Sequence, residues 1–224
     1  MSPQFDRIVI AIDGPAAAGK GTLARRLEEH FELSKLDTGL LYRATGWKVV
    51  SGGGDAEDPD AAEAAARTLD PVELANPDLR TDEAAQAASK VSAIPGVRAA
   101  LLDFQRNFAK NPPALANGNP AQGAILDGRD IGTTVCPDAE VKLFVTASAE
   151  TRAKRRFLEL QERGLDAIYA RVLEDMKERD ARDSGRSASP LAAADDAYVL
   201  DTSDMDADQA FAAALDFINS KNLF

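Results

Sequence analysis

Residues 14–22, Gly14-Pro15-Ala16-Ala17-Ala18-Gly19-Lys20-Gly21-Thr22, constrain this chain more than any other stretch. Ahead of them runs Arg7-Ile8-Val9-Ile10-Ala11-Ile12, a β-branched stretch of strand length. Behind them, Lys20 to Phe31 reads as a helix with Leu23 and Leu27 four apart. Strand, glycine-rich turn and helix make the first half of a βα unit. Glycines let a backbone wrap closely around a phosphate without Cβ clashes, and successive N–H groups at a helix start form an anion nest. Gly14 to Thr22 are therefore candidate nucleotide-phosphate ligands, with Lys20 as a point charge over the β- and γ-phosphates. The general pattern places Ser or Thr directly after the lysine. Here Gly21 intervenes and Thr22 carries the hydroxyl, so Thr22 is a candidate Mg²⁺ ligand, direct or through water. Asp127 is a candidate to orient Mg²⁺-bound water, and Asp13 is a second one.

Strand and helix patterns alternate along the rest. Short apolar strands are predicted at 34–37, 124–126, 141–145 and 197–200. Helices are predicted from Leu40 to about Val50, after Pro95, at 149–163, at 166–182 and around Phe211, Leu215 and Ile218. This order predicts an α/β fold, a parallel five-stranded sheet with helices on both faces. Residues 53–92 are rich in alanine and acid and are punctuated by Pro59, Pro71 and Pro77, so they read as a helical insertion. The expected organisation is a core of 1–52, 110–149 and 190–224, an acceptor-binding insert at 53–109, and a lid at 150–189. Ligands in such sheets bind beyond the carboxyl ends of the strands. Asp13-Gly14, Asp37-Thr38 and Asp127 to Asp130 all fall there.

The net charge of −11 argues against a general nucleic-acid binder, which needs a basic footprint. Positive charge is clustered instead, in Arg152, Lys154, Arg155 and Arg156 and again in Arg179, Arg182 and Arg186. Such clusters suit a small anionic substrate; the alternative is a solvated helix face balanced by Glu159 and Glu162. No apolar run approaches the roughly 20 residues of a membrane span, and Met1 to Asp6 carry no leader pattern. No membrane partner and a cytoplasmic, monomeric protein are the expectations. The single cysteine, Cys136, reads as a small buried thiol, the single histidine, His30, as a helix-end residue, and Trp47 as a packing residue.

The spelling Gly-Lys-Gly-Thr resembles that of nucleoside-monophosphate kinases. Further motifs resemble bacterial cytidylate kinases. They are Leu36-Asp37-Thr38-Gly39-Leu40-Leu41-Tyr42-Arg43 (where the family more often has Ser at the position of Thr38), Leu126-Asp127-Gly128-Arg129-Asp130-Ile131-Gly132-Thr133, and Glu178 to Arg186 followed by Ser189-Pro190-Leu191. Ser89 and Pro95-Gly96-Val97-Arg98 also fit. The likeness covers nearly the whole chain in order. Residues 53–92 depart from it, because many members carry a longer insert with a small β-sheet there.

The resemblance implies transfer of the γ-phosphoryl group of ATP to CMP or dCMP, with Mg²⁺. It places Thr38 in the acceptor-phosphate segment and Arg43 and Arg129 on the acceptor phosphate. It places Ser89, Arg98 and Asp130 near the cytosine ring, and Arg179 and Asp183 at the pentose with Arg186 close by. The acceptor is already ionised near neutral pH, so no general base is required. Cations around both phosphates carry the chemistry. Lys20, Arg129, Arg155 and Arg156 are the catalytic candidates, the last two closing from a lid helix onto the donor; Arg152 is a weaker one. The alternatives are a P-loop kinase for UMP, AMP or a small alcohol, and a P-loop NTPase switch.

Overall fold

The computed structural model describes residues 7–224; the reading of Met1 to Asp6 lies outside the described residues. Five strands form one sheet in the order β2-β3-β1-β4-β5, with every pairing parallel. They are β1 (Ile8–Asp13), β2 (Ser34–Asp37), β3 (Gly123–Asp127), β4 (Val141–Thr146) and β5 (Tyr198–Asp201). Eight α-helices accompany them among the described residues: α1 (Lys20–Phe31), α2 (Thr38–Ser51), α3 (Pro59–Arg67), α4 (Asp82–Val91), α5 (Pro95–Lys110), α6 (Ala149–Glu162), α7 (Tyr169–Gly185) and α8 (Ala207–Ser220).

The two-residue period of the strands explains the layering. On β1, Ile10 and Ile12 join Ile125, Leu143, Val145 and Leu200 on one face, against Leu23 and Leu27 of α1 and Ile218 of α8. Ala11, Leu36, Ala124 and Leu126 point to the other face, against α2 and α5 through Leu41, Val97 and Leu101. Both faces are covered, as the continuous apolar strands predict.

The alanine-rich insert is helical throughout its regular parts, with α3, α4 and two 3₁₀ turns at Pro71–Ala75 and Pro77–Arg80. Small residues allow close helix approach. A Cβ on Gly46 of α2 would lie 2.7 Å from the Ala87 carbonyl carbon of α4, so α2 and α4 meet almost backbone to backbone. Ala84, Ala87 and Ala88 are buried in that contact.

Helices α6 and α7 pack on each other through Ala153, Leu160, Val172 and Met176, and that cluster also touches Ala16 and Ala17 of the glycine-rich loop. A turn of π-helix at Ile131–Val135, which the sequence patterns do not reveal, follows β3. His30 is exposed at the end of α1, edge-on to Phe31 and Phe211. Trp47 is half-buried. Cys136 is half-buried rather than buried, because it lies past the π-turn at the rim of the sheet. Among the described residues no helix is long and apolar enough to cross a membrane.

Candidate active site

The loop after β1 has the backbone its glycines permit. Gly14 lies at φ 142° and Gly19 at φ 95°, in the positive-φ region that glycine tolerates. A Cβ on Gly14 would also collide with the Val145 carbonyl of β4. Ala17 adopts φ 58° between them. Gly19 caps α1, and no side chain satisfies the first N–H groups of that helix. Those donors are left for an anion.

Lys20 folds back inside the loop. Its ammonium donates to the Pro15 carbonyl at 2.9 Å and lies 3.8 Å from Asp127 at the end of β3. Burial, with Arg129 next, lowers the Lys20 pKa; burial, only partly offset by Lys20, raises that of Asp127. An anionic phosphate beside Lys20 would relieve both stresses on the ammonium. Thr22 is exposed one turn into α1. Asp13 is engaged elsewhere. Its two oxygens accept from Ile131 N–H and Gly132 N–H, both at 2.7 Å. It braces the π-turn and is a poor second candidate for orienting metal-bound water.

A second group of residues surrounds the ends of β2 and β3. Thr38 donates from Oγ1 to the Asp127 carbonyl at 2.8 Å, which ties the start of α2 to β3. Asp37 caps α2 through Gly39 N–H. Arg129 donates from Nε to Asp183 of α7 at 3.0 Å. Burial raises the Asp183 pKa, but Arg129, Arg179 and Arg186 together overcome it and hold the carboxyl below its ordinary value. Arg98 of α5 forms a buried ion pair with Asp130 and lies over the Tyr42 ring, 5.5 Å from its centroid. Arg179 is pushed down to about 10 by burial and by Arg129.

Three buried side-chain atoms in this region have no hydrogen-bond partner: Ser89 Oγ, Arg179 Nε and Arg186 Nη2. Unsatisfied buried donors are costly, and they mark where a ligand's acceptors belong. Thr38, Arg43, Arg98, Arg129, Asp130, Arg179, Asp183 and Arg186 line one cavity. Its volume is about 50 Å³, below the 300 Å³ at which small-molecule sites usually begin. The cleft is closed, and a substrate must part its walls.

Beside it lies a cavity of about 280 Å³, lined by Ala16 and Ala17 of the glycine-rich loop and by Arg156, Leu160 and Met176. Arg43 and Arg179 reach both cavities. Arg43 is half-buried and donates to the Leu79 carbonyl at 2.8 Å and that of Thr81 at 3.3 Å. Arg156 is paired with Asp82 of the insert and with Glu159. Arg155 is placed apart, donating to Thr202 Oγ1 and to the Thr202 and Met205 carbonyls on the outer flank of the loop. Arg152 instead touches the glycine-rich loop, reaching the Ala16 carbonyl at 3.3 Å while gripping Asp180 with two bonds.

Three participants went unassigned in the sequence. Tyr42 stands within a quoted motif, and its spacing gives it no role. Gln105 lies buried on α5 one turn beyond Leu101, to whose carbonyl it donates. Asp82 is an N-terminal residue of α4 with no signal other than helix-start chemistry.

A parallel sheet, an anion nest at the end of its central strand and a polar cleft across the neighbouring strand ends define a P-loop phosphotransferase. The chain belongs to the cytidylate kinase family, whose profile matches residues 10–220. It is 66% identical over 213 residues to a cytidylate kinase of Paramagnetospirillum magneticum, covering 95% of this chain and 98% of that one. The cytidylate kinase of Rhodospirillum rubrum is 60% identical over 215 residues, covering 96% and 99%. That of Methylocella silvestris is 56% identical over 213 residues, covering 95% and 94%. Among solved structures, an uncharacterized protein from Eubacterium ventriosum shares the fold, with a TM-score of 0.54 at 17% identity over 96% of this chain and 99% of that one.

Proposed function

We propose that this protein transfers the γ-phosphoryl group of ATP to CMP or dCMP, giving ADP and CDP or dCDP. The observation that carries this reading is the closed cleft holding the Arg98–Asp130 pair together with two unpartnered arginine nitrogens, one cavity away from the phosphate nest. An Asp accepts from the cytosine amino group and an Arg donates to ring acceptors. Asp130 Oδ2 takes Arg98, which leaves Oδ1 for the base.

The residues act by position and charge. The glycine-rich loop and Lys20 hold the donor phosphates. Arg43 and Arg129 hold the acceptor phosphate by guanidinium forks. Arg179 lines both cavities. Arg179 and Asp183 address the pentose, with Arg186 beside them. Arg156 releases Asp82 to meet the donor. No side chain is asked to remove a proton, since the acceptor oxygen is already anionic.

Mg²⁺ fits this donor set. Among the described residues no cluster of three acidic, histidine or cysteine groups could cage a metal. Asp127 supplies an isolated carboxylate beside Lys20, as suits an ion that keeps several waters and binds mainly through phosphates, whereas Thr22 is exposed and lines a separate cavity with Gly19 and Arg155. When bound, Mg²⁺ neutralises charge on the β- and γ-phosphates. Asp127 would hold it through water.

The core, insert and lid boundaries at 52/53, 109/110, 149/150 and 189/190 belong to the same proposal. Lid and insert meet at Arg156–Asp82, Arg163 to the Arg80 carbonyl at 3.0 Å, and Arg182 to Gln86 at 3.3 Å. Opening the small acceptor cavity breaks such contacts, and closure reforms them around both substrates. A monomer belongs to the same proposal. ATP and CMP as substrates support a cytoplasmic location. A coupled assay with ATP, Mg²⁺ and CMP, dCMP, UMP or AMP tests the reading. CMP and dCMP are expected to drive turnover at least about tenfold better than UMP in kcat/KM, the scale of one mismatched polar contact. ATP turnover that is equally fast without an acceptor would replace the kinase with an NTPase switch.

A further inference from the structure

A cavity of about 640 Å³ opens at the other end of the sheet, where β1 begins. That volume is in the range of small-molecule sites. Arg7 and Val9 of the first strand region, Arg106 and Lys110 of α5, and Cys136 and Pro137 after the π-turn line it. Arg7, Arg106 and Lys110 bring three cations to one concavity, against Asp138 as the single lining carboxylate. Among the described residues none of the three has an ion-pair partner, while most other lysines and arginines of the core do. In a chain of net charge −11, a recess of this kind concentrates anions. Nearby Glu140 is occupied, accepting the Val9 N–H at 2.7 Å. Val9, Ala109, Val135 and Ala139 supply apolar wall, so the recess suits a ligand with an anionic head and a ring or other apolar body.

The recess also touches both elements that carry the base-recognition pair. Arg106 donates to the carbonyls of Val135 at 3.1 Å and Thr134 at 3.0 Å, at the far end of the π-turn. The near end of that turn follows Asp130 and holds Asp13 through two N–H groups. Arg98 lies two helical turns before Arg106 on the same helix, α5. A π-turn inserted at such a place is often functional.

We propose that this cavity is a second, regulatory site that binds an organic phosphate of nucleotide size and weakens CMP binding by drawing Arg106 off the π-turn. Cys136 lines the cavity and is the only cysteine in the chain, so it reports occupancy. Burial pushes its thiol up to about 11, so labelling with a neutral maleimide is run at mildly alkaline pH, where it is slow enough to time. The whole protein is labelled with ADP and CMP saturating, which keeps the catalytic cleft filled, and is titrated with CTP or with pyrophosphate. At ten times its Kd, CTP is expected to slow labelling by about tenfold, as 1 + [L]/Kd. Arg7→Ala with Lys110→Ala, both exposed positions, should abolish that protection and leave CMP kinetics without CTP unchanged.

In steady-state assays CTP should raise the KM for CMP at least about fivefold beyond any effect on the double variant, within the usual span of allosteric coupling. No protection at millimolar CTP, or equal protection in the double variant, overturns the site. Equal protection by pyrophosphate overturns the organic ligand. Protection with no difference in CMP KM between the two proteins overturns the regulatory role.

Discussion

Replacing Asp130 with Asn separates base recognition from stability. Asp130 and Arg98 are a buried ion pair, with side chains 7% and 9% exposed. Removing one partner of such a pair costs about 3–5 kcal/mol, because the other charge stays buried and unpaired. Whole-domain stability is about 5–15 kcal/mol, so Asp130→Ala risks unfolding and would confuse the result. Asn keeps the shape and one acceptor oxygen for Arg98, and the Arg98 guanidinium retains the Ser92 carbonyl at 3.2 Å. The expected melting shift is that of a lost charge with a surviving hydrogen bond, smaller than for Ala. Selectivity should change more than stability. Cytosine offers an amino donor where uracil offers a carbonyl, and a carboxylate facing uracil sets acceptor against acceptor. Asn can rotate its amide to donate. The CMP-over-UMP ratio in kcat/KM, expected to be at least about tenfold in the parent, or 1.4 kcal/mol, should collapse toward unity or invert. Thermal melts with and without CMP, beside kcat/KM for CMP and UMP, measure both effects. An Asp130→Asn protein that melts normally and keeps the parent ratio would refute the assignment of Asp130 to the base and leave it as a structural partner of Arg98.

Lys20→Ala should fold and lose about 10²–10³-fold in kcat, the magnitude of one electrostatic contact in the transition state; retention of more than a tenth of the activity would contradict its place on the donor phosphates. Arg43→Met and Arg129→Met should each lower CMP kcat/KM far more than ATP affinity measured directly, and matched losses would remove them from the acceptor phosphate. Arg129→Met should also release Asp183, whose pKa then rises because burial is no longer overcome by that guanidinium. The pH profile of kcat/KM for ATP should fall on the acid side as Asp127 protonates near about 6 and on the alkaline side as Lys20 deprotonates near about 8. Asp127→Asn removes a charge that raises the Lys20 pKa, so its alkaline limb should move to lower pH, and a limb that stays or rises would show that Lys20 does not set it.

Much of this site could be read in the sequence because its parts are local. A strand, glycines at 14 and 19 and a helix start build the nest within one stretch, and both glycines take positive φ, as does Ala17, which no glycine marks. The strand-end motifs fell into place because parallel strands put their carboxyl ends side by side, joining residues 13, 37 and 127 through the register of β1, β2 and β3. What the sequence hid depends on long-range packing. Nothing in Asp13 foretold that its carboxylate would hold a π-turn 118 residues away, and nothing in the arginine cluster of α6 told its members apart. Three and four residues apart, Arg152, Arg155 and Arg156 share one broad face of α6, yet Arg152 reaches the glycine-rich loop, Arg155 the Thr202 carbonyl just past β5 and Arg156 the insert. Spacing alone made those residues equivalent candidates; the partners on three different elements make them unequal. The same reasoning explains how an insert without a β-sheet can still serve the site. Only α4 must approach α2, and Gly46 against Ala87 supplies that approach, which sets Ala88 at the acceptor cleft and Asp82, in the first turn of α4, at the neighbouring cavity without the extra strands.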